Sequence, residues 1–571
     1  MKTALQQQLL KRLHAKKDKP VFTVVRRSGD NPAIDLTGAN LLDRAERMQA
    51  LWRDICGPGP KTVVLAFSHG ELFLSSLIAG LLSDVTIVPV ALPRPGSQSD
   101  RLRHIVQDCG AAAIFCDADQ VNNLCRALTH EGEIALPCPV AGLAMDGMVT
   151  EVETSTRHEP VPNDTAGPAL IQYTSGSTRM PKGIRIFDDQ IIANAKICSD
   201  RFRISEQTRF VNWLPHYHDM GLMGGILYPL LRGGYSAQLS PFDMIRKPIF
   251  WLKCISDFQA TMSGGPAFSF AHCLAHVSDK DCDNLDLSTW VTAFCGAEPI
   301  PGDLLPAFRQ RFARFGLLPN AVFACYGMAE FTLYAAGERE LGMPPTGLEN
   351  THPCQLTADT KAGLRIFDPE SGVPLPDGTK GEIWLRGGSV GRGYVNLPDD
   401  TAATFGIQAR SDTANADLLG PWLRTGDLGM IVDDWLYITG RIKDIIIANG
   451  MKIASTELEW LASTMHDALN PSAAAAFMTD PTVSGHAVLL IELKLARFTI
   501  DEPDRVKHAI AQAVAGEWSI KLDEIRFVPR GKLERTSSGK IRRQAIAAAW
   551  REKHRQRQTE NGPEQHMKAE K

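Results

Sequence analysis

Tyr173-Thr-Ser-Gly-Ser-Thr-Arg-Met-Pro-Lys-Gly183 gathers hydroxyls, glycines and positive charge just where the apolar run Pro168-Ala-Leu-Ile-Gln-Tyr173 ends. Thr174, Ser175, Ser177 and Thr178 offer hydroxyl donors, Gly176 and Gly183 allow close backbone approach, and Lys182 adds a compact cation. That inventory suits the phosphates of a nucleotide. A Walker A loop carries its lysine after the glycine and feeds directly into a helix. Here Lys182 precedes Gly183, so the loop is of another kind.

On the N-terminal side, Thr62–Phe67, Val85–Val90 and Ala111–Phe115 read as short β-branched strands, separated by helical stretches over 72–82 and 101–109. This rhythm predicts a doubly wound, mainly parallel α/β sheet. It continues past the loop with a helix over 188–202. After it comes Asn212-Trp-Leu-Pro-His-Tyr-His-Asp-Met-Gly-Leu-Met-Gly-Gly225, which reads as one wall of a pocket. His216 and His218 stand two apart and share no helical face, which argues against a metal pair. Three more segments place small residues where a strand ends: 260–266, 291–299 and 324–330. Ligands of open α/β sheets bind at such turns.

From about Gly337 the texture changes to short runs with turns, including 363–368, 381–386, 391–394, 422–429 and 435–439. These predict a small antiparallel β unit. Residues 441–550 read as a small α+β domain, and those after Trp550 as a frayed helix and disordered tail over 551–571. The large region therefore spans 1–440, with its α/β part ending near 336.

Composition narrows the function classes. Hydrophobic residues make up 44% and charged residues 22%, which excludes a globally disordered chain. A net charge of −4 gives no basic field for nucleic acid. Twelve cysteines without a C-x-x-C pair argue against a zinc knuckle or disulfide framework and for a reducing cytoplasm. The N-terminus lacks a signal-peptide core, and Leu5, Leu9, Leu10 and Leu13 predict an amphipathic helix docked on its own domain. No stretch is apolar enough to insert stably in a membrane.

Taken together, the ordered segments resemble the adenylate-forming superfamily of acyl-CoA synthetases, luciferases and peptide-synthetase adenylation domains. Tyr173–Gly183 is similar to its phosphate loop, Tyr326–Glu330 to its Y-G-x-[TA]-E motif, and Arg424–Asp427 to its ribose motif. Residues 440–450 are similar to the hinge motif, and Thr536–Lys540 to the C-terminal lysine motif. Trp213–Leu222, Ser263–Pro266 and Gly296–Pro299 most resemble the fatty acyl-AMP ligases.

The resemblance implies ATP and Mg²⁺ as cofactors, a fatty acid as substrate, and an acyl carrier protein acting in trans as thiol acceptor. It makes Lys540, His218 and Glu330 catalytic, with Glu330 and Thr174 at the metal. ATP and AMP would be bound by Thr174–Thr178, Lys182, Gly296, Ala297, Glu298, Tyr326, Gly327, Met328, Ala329, Asp427 and Arg441. His218, Asp219, Gly224, Gly225, Gly264 and Gly265 would form the acyl pocket, and Lys443 the hinge. In one respect the chain departs from that family. Only residues 331–364 separate Glu330 from Arg365, close to the CoA-ligase length, where the fatty acyl-AMP ligases carry an insertion associated with rejecting CoA. CoA is the alternative acceptor.

Overall fold

A computed structural model describes residues 2–27, 33–93, 99–129, 136–144, 149–153, 167–174, 180–339, 342, 344–345, 351–410, 420–448, 451–480, 483–494, 502–536 and 539–561. Two seven-stranded sheets dominate it. In one, Val140–Leu143, Ala113–Asp117, Thr62–Ala66, Thr86–Pro89 and Leu170–Tyr173 run parallel, with antiparallel strands Val149–Glu153 and Gly183–Ile186 at its edges. In the other, Val322–Ala324, Thr292–Gly296, Met262–Pro266, Arg209–Asn212, Tyr235–Leu239 and Pro20–Val25 run parallel, closed by antiparallel Ala33–Thr37. Strands such as Thr62–Ala66 are buried along their whole length, as expected when helices cover both faces.

The six-stranded antiparallel sheet combines Cys354–Gln355, Trp435–Arg441, Pro421–Val432, Gly381–Leu385 and Leu364–Phe367, with Ile407–Gln408 at its side. Residues 391–394, expected as a strand, make only an isolated bridge between Tyr394 and Ile184. Tyr394 instead turns its hydroxyl toward Glu330. Beyond residue 444, Leu469–Met478, His486–Leu493 and Lys521–Val528 form a three-stranded sheet with its own apolar core around Ile446, Leu458, Leu489 and Ile510. The last helix runs from Arg543 to Asn561, so the helix expected to fray after Trp550 continues for another eleven residues, and residues 562–571 lie outside the described set.

At the N-terminus, helix Ala4–Ala15 buries Leu5, Leu9 and Leu13 in the main core, and Thr3 caps it reciprocally with Gln6. The helix is part of the fold. Among the described residues no helix is long and apolar enough to cross a membrane.

Candidate active site

The hydroxyl-rich loop closes a β-hairpin. Tyr173 pairs with Gly183 across antiparallel strands, and Thr174 N donates to the Lys182 carbonyl at 3.0 Å. A Cβ at position 183 would lie 2.7 Å from the Tyr173 ring, so the hairpin requires glycine there. This strand-loop-strand geometry explains why the motif departs from the Walker order, in which a helix follows the loop. Ser175, Gly176, Ser177 and Thr178 lie outside the described residues. Lys182 is paired with Asp400 at 2.5 Å and sits 5.0 Å from the Tyr394 ring centre.

Four turns converge at the carboxyl ends of the second parallel sheet, following Asn212, Pro266, Gly296 and Ala324. The turn after Ala324 is fixed from beneath by Asn194 on helix Asp188–Phe202. Its amide donates to the Phe331 and Tyr334 carbonyls and accepts from Tyr334 N and the Tyr228 hydroxyl, at 2.7–3.1 Å. All four hydrogen-bonding positions of this buried amide are satisfied, which sets the backbone around Glu330. Burial pushes the Glu330 carboxyl above its usual range, opposed in part by the Tyr394 hydroxyl donating to it at 3.0 Å. Gly327 packs against the Leu333 carbonyl, where a Cβ would lie at 1.8 Å. Met328 N donates to that same carbonyl at 2.9 Å, and Ala329 begins the short helical turn that carries Glu330.

Tyr326 and Asp427 meet although they come from different sheets. The tyrosine hydroxyl donates to Asp427 Oδ2 at 2.8 Å, and Arg441 Nε lies 2.7 Å from Oδ1. Beside them, Arg424 and Gly426 N both bond the buried Glu382, which holds the ribose-like motif in shape. Ala297 takes φ +69, a left-handed conformation unusual for alanine. Its neighbour Glu298 accepts from Phe268 N at 2.7 Å.

Lys540 belongs to the small lobe yet stands in the field of Asp219, Glu298 and Asp427 from the large one, and of Arg441 at the boundary between them. Its neighbour Gly539 lies near Phe268, where a Cβ would come within 3.6 Å of the ring. Burial lowers the lysine's pKa, and Arg441 lowers it further. His218 is pushed down to about 3, first by burial and then by Lys540 and Arg101, so its imidazole is neutral at pH 7. Asp219 caps the π-helical segment Met220–Leu227 through Met220 N at 2.8 Å. A pocket reaching His218 is lined also by Val90, Arg101, Tyr173 and Tyr217.

The glycines expected to form the acyl pocket have another reason to be there. A Cβ on Gly225 would strike the Asn212 amide at 2.3 Å, one on Gly264 the Phe294 carbonyl at 2.2 Å, and one on Gly265 the Trp213 ring at 2.6 Å. These spaces are filled by protein. Gly224 is looser, with the Leu333 side chain 3.2 Å from such a Cβ. Lys443 lies in the helical turn Ile442–Asp444 after Arg441, and its carbonyl accepts from Gln544 at 2.6 Å.

Sequence reasoning missed Tyr394, Asp400, Glu382 and Arg101. Each acts on a motif residue from a distant segment; Tyr394 and Asp400 are separated from their partners by 64 and 218 positions. No local pattern marks them.

Among the described residues no cluster of three or more His, Cys, Asp or Glu forms a metal cage. Mg²⁺ held mainly by substrate phosphates needs only one or two protein carboxylates, and the Glu330 carboxylate is a hard oxygen donor that could serve as one.

The model of the AMP-binding enzyme family matches residues 11–395. Long-chain-fatty-acid–AMP ligase FadD26 of Mycobacterium tuberculosis is 32% identical over 530 residues, covering 87% of this chain and 88% of that protein. A structure from a study of fatty acyl-adenylate ligases of E. coli and L. pneumophila has a TM-score of 0.78 at 27% identity, covering 96% of this chain and 98% of that one. The L. pneumophila fatty acyl-adenylate ligase in complex with acyl adenylate and pyrophosphate gives 0.66 at 26%, covering 96% of each chain. These relatives show that the chain belongs to the AMP-binding enzyme family and, within it, to the fatty acyl-AMP ligases, which join a carboxylic acid to AMP at the expense of ATP.

Proposed function

We propose that this ligase activates a fatty acid as its adenylate and then passes the acyl group to the phosphopantetheine thiol of an acyl carrier protein. In the first step a carboxylate oxygen attacks the α-phosphorus of ATP, the bond to the bridging β-phosphate oxygen breaks, and pyrophosphate leaves. In the second, the thiol sulfur, having lost its proton, attacks the acyl carbon and AMP departs. Both partners in the first step are anions, so aligned positive charge is the main requirement.

The observation that supports this reading is that Lys540, on the small lobe, lies within the electrostatic reach of Asp219, Glu298 and Asp427. Lys540 would bridge the carboxylate and the α-phosphate. Asp427 would receive the ribose hydroxyls, exchanging them for Arg441 or Tyr326. The Tyr326 ring would stack on adenine with Gly296–Glu298 beside it, and Lys182 with the hydroxyls of its loop would hold the leaving pyrophosphate. Neutral His218 would orient the reacting carboxylate without adding a competing charge. Glu330, with Thr174, would hold Mg²⁺, which when bound supplies charge neutralisation to the departing phosphates. The twelve free thiols fit a reducing cytoplasm.

Lys540→Ala is expected to reduce acid-dependent ATP–pyrophosphate exchange by a factor on the order of 10² to 10³, with a smaller effect on acyl transfer from supplied acyl-AMP. Equal loss in both half-reactions removes the assigned role. A panel of fatty acids offered with either holo-carrier protein or CoA identifies the acceptor. Acylation of CoA alone overturns the carrier reading. CoA is the second reading because the segment 331–364 is short.

A further inference from the structure

Asp444 ends the helical turn that follows Arg441, and two consecutive residues at the start of the last helix hold its side chain. Arg543 Nη1 donates to Asp444 Oδ2 at 2.7 Å, while its Nε and Nη2 fork onto Glu459 at 2.7 and 2.8 Å. Gln544 Nε2 donates to Asp444 Oδ1 at 2.7 Å and to the Lys443 carbonyl at 2.6 Å. Ser455 Oγ donates to the Asp444 carbonyl at 2.6 Å, and Glu459 Oε1 also accepts from Ala476 N at 2.7 Å. The side chains of Arg543, Asp444 and Glu459 are 13%, 10% and 6% exposed, so water competes little with these bonds. Burial works against the Arg543 charge, and Glu459 followed by Asp444 more than restores it.

Three residues upstream lies Lys540, on a hairpin that is itself braced. Thr536 N donates to the Lys540 carbonyl at 2.7 Å, and Arg542 N to the Glu534 carbonyl at 2.8 Å. Arg535 pairs with the buried Glu492 at 3.2 Å. From the 442–444 turn to Lys540 the path therefore runs through part-buried side-chain bonds at the turn and backbone bonds around Lys540.

We propose that Arg543, together with Asp444 and Glu459, is a positioning unit that fixes Lys540 relative to the hinge turn, so that rotation at Lys443 carries the lysine as part of one rigid body. Arg543 acts through Lys540 and does not touch the reactants. The proposal rests on the reading of Lys540 given above. The competing account is a buried ion network that only stabilises the small lobe, since such networks contribute net stability unevenly. The two accounts differ in whether Arg543 and Lys540 are coupled.

The experiment measures acid-dependent ATP–pyrophosphate exchange and acyl transfer from supplied acyl-AMP, both per folded site, in the wild-type and Lys540→Ala backgrounds. Arg543→Met is expected to slow exchange on the order of 10- to 100-fold and to leave transfer within about threefold. In Lys540→Ala it is expected to add no further loss of exchange, and Arg543→Lys should recover part of the rate. Gln544→Ala removes two bonds of the same link without stranding a buried charge, and should show the same pattern at smaller amplitude even if Arg543→Met fails to fold. Unchanged exchange in these variants, or losses that multiply with that of Lys540→Ala, overturns the proposal. Undiminished exchange in Lys540→Ala alone overturns the Lys540 reading and the proposal with it, a distinguishable result.

Discussion

At the scale of single residues, the pairing of Glu330 with Tyr394 has a measurable consequence. Burial raises the Glu330 pKa, and the tyrosine hydroxyl at 3.0 Å opposes that rise by stabilising the charged form. Tyr394→Phe removes the opposing bond, so the Glu330 pKa climbs further and the acidic limb of the kcat/KM profile for adenylation should move to higher pH. An unshifted limb would separate Tyr394 from the chemistry. Glu330 itself was legible in the sequence because it stands in a five-residue motif next to Gly327, whose lack of a side chain is imposed by the Leu333 carbonyl. Tyr394 was not, because a phenol in a run of glycines and an arginine looks like any strand residue until the chain brings it across to the carboxylate.

At the scale of elements, the two parallel sheets set how closely their strands can approach. Gly264 pairs with Phe294 on the adjacent strand, and the space for a Cβ is already taken by that residue's carbonyl. Gly264→Ala is therefore expected to destabilise the large lobe by roughly 1–3 kcal/mol, as overpacked cores do, lowering its unfolding midpoint in calorimetry. An unshifted midpoint would show that the neighbouring strand yields to a methyl group at this position. Hydrophobic periodicity revealed helix Asp188–Phe202 with the same bounds the structure shows, because a long amphipathic pattern is locally complete. It could not reveal that Pro20–Val25 joins Tyr235–Leu239, more than two hundred residues on, instead of the strands that follow it in the chain. Nor could it show how far the helix continues after Trp550, since that polar run lacks periodicity.

At the scale of the whole molecule, three histidines near the site are kept neutral mainly by burial. His69 is pushed down to about 4 and His218 to about 3, while His216 falls well below its ordinary value. The unfolded chain binds protons at these positions near pH 6.5, so it gains them before the folded chain does. Stability contributed by the neutral rings is full above that pH and is lost as pH falls from about 6.5 toward 3, by at most about 1.4 kcal/mol per pH unit for each ring. Denaturant midpoints at pH 7.5, 6.0 and 5.0 should therefore fall steadily, and His216→Phe should flatten the slope. The same charge suppression keeps His218 from producing an ionisation limb between pH 5 and 8 in the rate profile.

Asp427 holds Arg441 with one carboxylate oxygen and Tyr326 with the other, and Arg441 is the last strand residue before the turn that links the lobes. A sugar bound at Asp427 would therefore trade against a contact that helps set where the small lobe lies. Thermodynamic reciprocity then applies: whatever factor a lobe orientation contributes to nucleotide affinity, nucleotide returns to the population of that orientation. An apparent dissociation constant for ATP would report the fraction of molecules already in the receptive arrangement together with the quality of the contacts. Nucleotide titrations on hinge variants would thus serve as a gauge of domain orientation, readable without any probe attached to the protein.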